Sequence, residues 1–152
     1  GYRDATAFVV IKTDGHKFYV VDEYISKEET TAKHAAAIQE MIDNWDIDTI
    51  YIDSSAAQAR ADLAYEYDIY CDNAIKSVND GISYLQTLVE KDRIEFDITG
   101  AGNTFRHLSA YRWNMKTDTQ KPIHDDSSHS ADALRYAIYS HEKNNVGIHT
   151  IQ

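Results

Sequence analysis

The chain is poor in cysteine, in positive charge and in long apolar runs, and each of these shortages argues against a class of protein. Its 152 residues include a single cysteine, Cys71, so there is no disulfide framework and no cysteine-based zinc site, which fits a reducing cytoplasm. Lys and Arg number 15 against 25 Asp and Glu, and the net charge of −10 argues against a broad basic DNA-gripping surface. The longest unbroken apolar run, residues 7–11, is far too short to span a bilayer.

The composition that remains is that of an ordinary globular domain. Apolar residues make up 43% of the chain and charged residues 26%, and the length suits one domain with its own core. The chain has no starting Met and enters a strand within a few residues, so we expect it to be a piece of a longer protein.

Strand and helix signals alternate along the chain. β-Branched and aromatic runs at 6–12 and 17–25 flank Asp14-Gly15, a strong hairpin signal. Short strands are predicted at 48–53, 69–76 and 93–98. Helices are predicted at 30–45, at 54–67 with a serine N-cap, along the face of Ile82, Leu85, Leu88 and Val89, at 104–111 after a break at 99–103, and at 128–141. A polar loop or small hairpin should cover 113–126. This order predicts a mixed α/β sheet that begins with an antiparallel hairpin and carries helices on its faces.

The stretch HDDSSHSADALRYA at 124–137 gathers oxygen and imidazole ligands at the start of a helix. Asp125, Asp126, His129 and Asp132 are metal-ligand types, and His129 and Asp132 share a helix face because they are three residues apart. Carboxylates with few imidazoles suit Mg²⁺ or Mn²⁺. The alternative is helix capping, since acids in a first turn are favoured by the helix dipole. That alternative covers Asp125 or Asp126 better than Asp132, which stands inside the helix between two alanines.

Asp53 ends an apolar strand and precedes a helix, which places its carboxylate at the sheet edge where ligands of α/β proteins bind. The alternative is that it only caps the helix that follows. Basic residues are scattered and could contact phosphates, although a solvated surface is the more frequent explanation for any one of them. The candidates for DNA binding are Lys76, Arg112, Lys116 and Lys121, with Arg106 and Arg135 in the same scattered set.

Five segments in order resemble one family. They are GYRDATAFVVIK, TIYID, AIKSVNDGISYLQTLVEKDRIEF, FRHLSAYRW and HDDSSHSADALRYA. Together they resemble the C-terminal nuclease domain of the large terminase subunit of tailed bacteriophages, over residues 1–141. The resemblance implies a nuclease domain over 1–142 with an RNase H-like fold and helices on both faces of the sheet. We expect the terminal residues 143–152 to form a flexible tail.

The resemblance also implies a site and its cofactors. In this family, acids from the first strand, a central strand and a late helix hold two divalent cations, Mg²⁺ or Mn²⁺, that cleave a phosphodiester. Asp53 matches the central-strand acid and Asp132 the helix acid, with His129, Asp126 and Asp125 as weaker ligands. The first-strand aspartate of the family stands two residues before the glycine that matches Gly1. Either the domain is truncated at its N terminus in this sequence, or the chain lacks one arm of the metal site.

The partners that the resemblance implies are those of a viral DNA-packaging motor. They are concatemeric double-stranded DNA, an upstream ATPase domain, the portal and the small terminase subunit, at the procapsid portal in the host cytoplasm and without a membrane. Two alternatives stay open. One is a catalytically silent module of the same fold that docks DNA or portal. The other is a different RNase H-like nuclease, such as a junction resolvase or an RNA-cutting enzyme.

Overall fold

The computed structural model describes residues 6–27, 29–117 and 129–151, with side chains described for 6–27, 29–110 and 129–144. Within them, the elements follow the predicted order. They are β1 (Thr6–Thr13), β2 (Phe18–Ser26), α1 (Thr31–Trp45), β3 (Tyr51–Ile52), α2 (Ala57–Tyr67), β4 (Asp72–Asn73), α3 (Val78–Glu90), β5 (Ile94–Phe96), α4 (Ile98–Thr117) and α5 (His129–Ile151).

The predicted hairpin is confirmed. β1 pairs antiparallel with β2 from Thr6↔Ser26 to Thr13↔Phe18, with a bulge between Val10 and Ile11. Gly15 takes a positive φ of 91°, which the turn requires, and the Asp14 carboxylate accepts from the amides of His16 and Lys17 at 2.9 and 2.8 Å. β5 pairs parallel with β2 on the far side and completes a mixed three-stranded sheet.

β3 and β4 form a separate parallel pair and are shorter than predicted, because only Tyr51 and Ile52 align with Asp72 and Asn73. Among the described residues, β1 pairs only with β2, and β3 only with β4. Between the edges of β1 and β3 lies a cavity of about 320 Å³, bordered by residues 7–13 and 46–51 and by the small side chains of Ala133 and Ala137 on α5.

Apolar side chains pack on both faces of β1, because neighbouring strand residues point to opposite sides. Val9 and Ile11 pack against a core built from β2, β5, α3, α4 and α5, whose centre includes Leu88 and Leu134. Phe8 packs against a second core built from α1, α2 and the segment before β4. The prediction of helices on both faces is confirmed.

The boundaries of α2 and α4 differ from the predictions. α2 begins at Ala57 rather than at Ser54, and within the described part of the chain no side chain caps it. α4 begins at Ile98, before the predicted break, because the Asp97 carboxylate accepts from the amides of Thr99 and Gly100. α4 also runs on to Thr117, into the segment predicted as a loop.

α4 kinks at Ala101, where φ and ψ are −134° and 34°. The Glu23 carboxylate of β2 accepts from the amides of Asn103 and Thr104 at 3.2 and 2.7 Å and so caps the helix after the kink. The last helix also departs from its prediction. α5 continues to Ile151, whereas the sequence placed its end near His141. No helix in the described ranges has the length and apolar character that a membrane span needs.

Candidate functional site

Asp53 lies directly after β3, at the carboxyl end of the strand as predicted. Its Oδ1 accepts three hydrogen bonds: from the Ser55 amide at 2.9 Å, from the Ser55 hydroxyl at 2.9 Å and from Lys76 Nζ at 2.7 Å. The carboxylate closes a turn over residues 53–55, and α2 starts beyond it at Ala57. Asp53 therefore does not serve as the cap of α2, and its side chain stays 36% exposed.

Asp132 lies in the first turn of α5, where the helix dipole favours a carboxylate. The residue is nonetheless buried, at 8% exposure, and its neighbours Ser130 and Ala131 are buried with it. Its Oδ1 accepts from Arg135 Nη2 at 3.4 Å. A carboxylate that only interacted with the helix dipole would not need to be buried, so the burial of Asp132 favours a role in a binding site over a role in capping.

A chain of polar contacts links the two acids. Lys76 Nζ pairs with Asp53, and the carbonyl oxygens of Lys76 and Ser77 accept from Arg135 Nη1 at 3.1 and 3.0 Å. Arg135 in turn pairs with Asp132. We call Asp53, Lys76, Arg135 and Asp132 the two-acid network. It joins the end of β3, the segment before α3 and the first turn of α5.

The charges of both acids affect one further side chain, Tyr136. Burial raises the pKa of the Tyr136 hydroxyl, and the carboxylates of Asp53 and Asp132 raise it further. Tyr136 stands one turn after Asp132 on α5, and the Arg135 guanidinium lies 4.9 Å from its ring centroid. The charges of both carboxylates therefore act on this phenol.

The Asp53–Lys76 pair holds both of its members in the charged form. Burial on its own would raise the pKa of Asp53, but the hydrogen bonds from Lys76 and Ser55 outweigh burial and lower the pKa. The hydrogen bond to Asp53 raises the pKa of Lys76 above its ordinary value. At neutral pH the site therefore presents an ionised carboxylate whose cation partner is an exposed lysine.

The other predicted site residues are distributed as follows. His129 is the first residue of α5 and is half-buried. Arg112 and Lys116 lie within α4, but their side chains are outside the described part of the structure. Asp125, Asp126 and Lys121 lie entirely outside the described residues. Arg106 is exposed and donates to Asn103 Oδ1, whereas Arg135 is buried and does not belong to a phosphate-facing surface.

Two residues of the site escape the sequence reasoning. The sequence places Arg135 in the scattered basic set and does not single out Tyr136. Their spacing from Asp132, three and four residues along a helix, is the signal that could have placed them on the same face.

The donor chemistry of the two acids fits a divalent cation such as Mg²⁺ or Mn²⁺, since hard ions prefer carboxylate oxygens. The described residues supply this chemistry in part: no group of three or more His, Cys, Asp or Glu side chains among them is gathered closely enough to hold an ion. Asp53 and Asp132 are the residues that would hold one, and further ligands would have to come from elsewhere in the protein.

Comparison with known proteins identifies similar chains. The family model for the terminase RNase H-like domain matches residues 2–141. The chain is 46% identical over 147 residues to the large terminase subunit of Escherichia phage T5, covering 92% of this chain and 33% of that protein. It therefore spans about a third of that relative's length.

Solved structures give the same result. The large terminase of a thermophilic bacteriophage in complex with ATP-γ-S superposes with a TM-score of 0.74 at 25% identity, covering 92% of this chain and 38% of that one. The Mn-bound nuclease domain of the large terminase from bacteriophage SPP1 superposes with a TM-score of 0.71 at 25% identity, covering 95% and 81%.

Proposed function

The chain belongs to the terminase RNase H-like domain family, and from that premise we propose that it is a metal-dependent endonuclease that cuts concatemeric double-stranded viral DNA. The fold prediction, an RNase H-like mixed α/β architecture, is confirmed. The observation that carries the proposal is the two-acid network, in which Asp53 at the end of β3 and Asp132 in the first turn of α5 are linked through Lys76 and Arg135.

Asp53 and Asp132 would hold the cations, and the Mn ion in the SPP1 nuclease domain supports divalent metal as the cofactor. Two bound cations, when present, would activate a water and stabilise the leaving oxygen of the phosphodiester. The protein's own contribution is orientation. The turn over residues 53–55 fixes Asp53, and burial fixes Asp132. Lys76, exposed beside Asp53, is the described cation best placed to contact a DNA phosphate.

The remaining ligands are proposed to be Asp125, Asp126 and the half-buried His129. A further ligand would be the first-strand aspartate that the family resemblance places before Gly1. The cavity between the edges of β1 and β3 supports this part of the proposal, because a strand entering it could pair with both edges and end near Asp53. Its carboxylate would then join the same edge of the sheet.

The net charge of −10 is compatible with this function if the affinity for DNA belongs to a larger assembly. We propose that an ATPase domain in the same polypeptide, the portal and the small terminase subunit hold DNA near the site. The high effective concentration of DNA then compensates for the weak affinity of the domain itself. The domain itself then needs only a few basic side chains, such as Lys76, to contact phosphates at the site.

A second candidate function is a catalytically silent module that docks DNA or portal. The observation that favours it is that the described residues gather no three-ligand metal group. The other RNase H-like nucleases, a junction resolvase or an RNA-cutting enzyme, have no support from the family match.

The test is plasmid cleavage with Mn²⁺, paired with calorimetric Mn²⁺ titration. The parent chain and a version extended upstream by about ten residues, the reach of a strand, are compared with Asp53→Asn and Asp132→Asn in each. Asp43→Asn is the matched control, since Asp43 is an exposed α1 acid that accepts from Gln39. Loss of cleavage in both site variants, with the control unchanged, supports the nuclease. Absence of both cleavage and Mn²⁺ binding in the extended chain favours the docking module.

A further inference from the structure

Arg135 is an unusual residue for its position. It is 4% exposed, and desolvating such a charge is costly unless it is fully bonded. Nη1 donates to the carbonyls of Lys76 and Ser77, and Nη2 pairs with Asp132. The planar fork of arginine can bond two carbonyls and a carboxylate at once, which the single ammonium of lysine cannot do in the same geometry.

The segment that Arg135 holds is also tied to α5 at a second point. The amide of Ile75 donates to Ser140 Oγ at 2.8 Å, and Ser140 is fully buried. Lys76 therefore lies between two attachments to α5, one through the Ile75 amide and one through its own carbonyl. Since Asp132 lies on the same helix, the backbone that carries the Lys76 ammonium is fixed relative to Asp132.

The packing of α3 leaves space for this arrangement. Gly81 is buried in the first turns of α3, and a Cβ there would lie 2.8 Å from Arg135 Cγ and 2.9 Å from Cδ. Any other residue at this position would displace the alkyl stem of Arg135. A buried glycine facing the stem is what the close approach of α3 and α5 requires.

We propose that Arg135 is a positioning residue of the cleavage site. It sets the distance between the Asp132 carboxylate and the Lys76–Asp53 pair, so that the two acids can act on one cation site. This inference rests on the proposed function. It goes further by assigning the alignment of the site to a buried residue that touches neither cation nor DNA.

The test is Arg135→Lys, which keeps the charge but cannot make all three contacts. Arg60→Lys is the matched control, because Arg60 Nε also donates to a backbone carbonyl, that of Cys71, at the opposite end of β4. Both are measured in whichever form of the chain, parent or upstream-extended, cuts DNA faster. The readouts are Mn²⁺ affinity by calorimetry, the Mn²⁺ concentration for half-maximal cleavage, and the urea unfolding midpoint.

We expect Arg135→Lys to weaken Mn²⁺ binding and cleavage by about 10–100-fold, as for other residues that orient metal ligands, and Arg60→Lys to leave both unchanged. Equal Mn²⁺ affinity and cleavage in Arg135→Lys and the parent would overturn the inference while leaving the nuclease intact. A parent that neither binds Mn²⁺ nor cuts in either form would instead overturn the proposed function. Should Arg135→Lys fail to fold, Gly81→Ala displaces the same stem with the guanidinium retained. An unchanged Mn²⁺ affinity in Gly81→Ala would then overturn the inference.

Discussion

Gly81→Ala perturbs the molecule by one methyl group at the contact between α3 and α5. The methyl would lie 2.8 and 2.9 Å from two carbons of the Arg135 stem, closer than carbon atoms pack in proteins. The stem lies in a buried region and is anchored at its far end by bonds to Lys76 O, Ser77 O and Asp132. The substitution therefore forces Arg135 to shift or α3 to move away.

Two opposing effects set the change in the free energy of unfolding of Gly81→Ala. Replacing glycine by alanine inside a helix adds about 1 kcal/mol of stability through propensity. Overpacking a buried site by one methyl removes about 1–3 kcal/mol. The net expectation is a loss of about 0–2 kcal/mol in the free energy of unfolding, accompanied by weaker Mn²⁺-dependent cleavage because Arg135 is displaced.

Equilibrium urea unfolding measures the change in the free energy of unfolding, with Gly102→Ala as the control. A Cβ at Gly102 in α4 would meet only Arg106 Nη1 at 3.4 Å and Ile98 Cγ2 at 3.9 Å, which are ordinary contacts with flexible side chains. That variant should gain up to about 1 kcal/mol. The reasoning is refuted if Gly81→Ala is stabilised as much as Gly102→Ala and cuts DNA as well as the parent.

Two further predictions concern the core and the ion pair. Leu134→Ala removes a fully buried side chain from the core between α5 and β2. The urea midpoint should therefore fall by an amount equivalent to about 2–5 kcal/mol. A loss below about 1 kcal/mol would contradict the packing described. Lys76→Met should lower stability by only ~0.2–1 kcal/mol, because both partners are more than a third exposed. The pKa of Asp53 is lowered from 3.8 and that of Lys76 raised from 10.5, so the pair's contribution is present between these ordinary values. The stability difference in urea should therefore vanish as pH falls through the pKa of Asp53 or rises through that of Lys76, and a difference that persisted at acid pH would argue against the pair.

Much of the fold is predictable because its signals are local. Asp14-Gly15 carries its own turn chemistry, and the hairpin forms around it. Ala35, Ile38 and Ile42 recur at helical spacing, and α1 begins and ends within one residue of the prediction. The predicted element order is also correct, because strand and helix segments differ in their hydrophobic periodicity.

The boundaries that differ depend partly on distant contacts and partly on competing local hydrogen bonds. The predicted break at 99–103 is present only as the kink at Ala101 within α4, and Glu23, about 80 residues away on β2, caps the amides after the kink. Gly100 suggests a break in the sequence, yet it is needed for close packing, since a Cβ there would lie 2.1 Å from Val21 O. The serines at 54–55 suggest an N-cap, but Asp53 draws Ser55 into its own turn.

The candidate site divides in the same way. The positions of Asp53 and Asp132 at element junctions are readable from the pattern. The contacts that join them are not, since Lys76 is 23 residues from Asp53 and Arg135 is 59 residues from the carbonyl that it bonds. Residue type and local spacing identify acids, but only the packing of α3 against α5 connects them.

The most direct measurement of the central claim, that Asp53 and Asp132 act at one metal-dependent site, is a double-mutant comparison. The rate of Mn²⁺-dependent duplex cleavage is measured for the parent, Asp53→Asn, Asp132→Asn and the double variant, in the form of the chain that cuts. The account predicts that each single change abolishes most cleavage and that the double variant loses little more, because the two groups act as a unit. Single variants that cut as well as the parent, or losses that multiply as they would for independent sites, would contradict it.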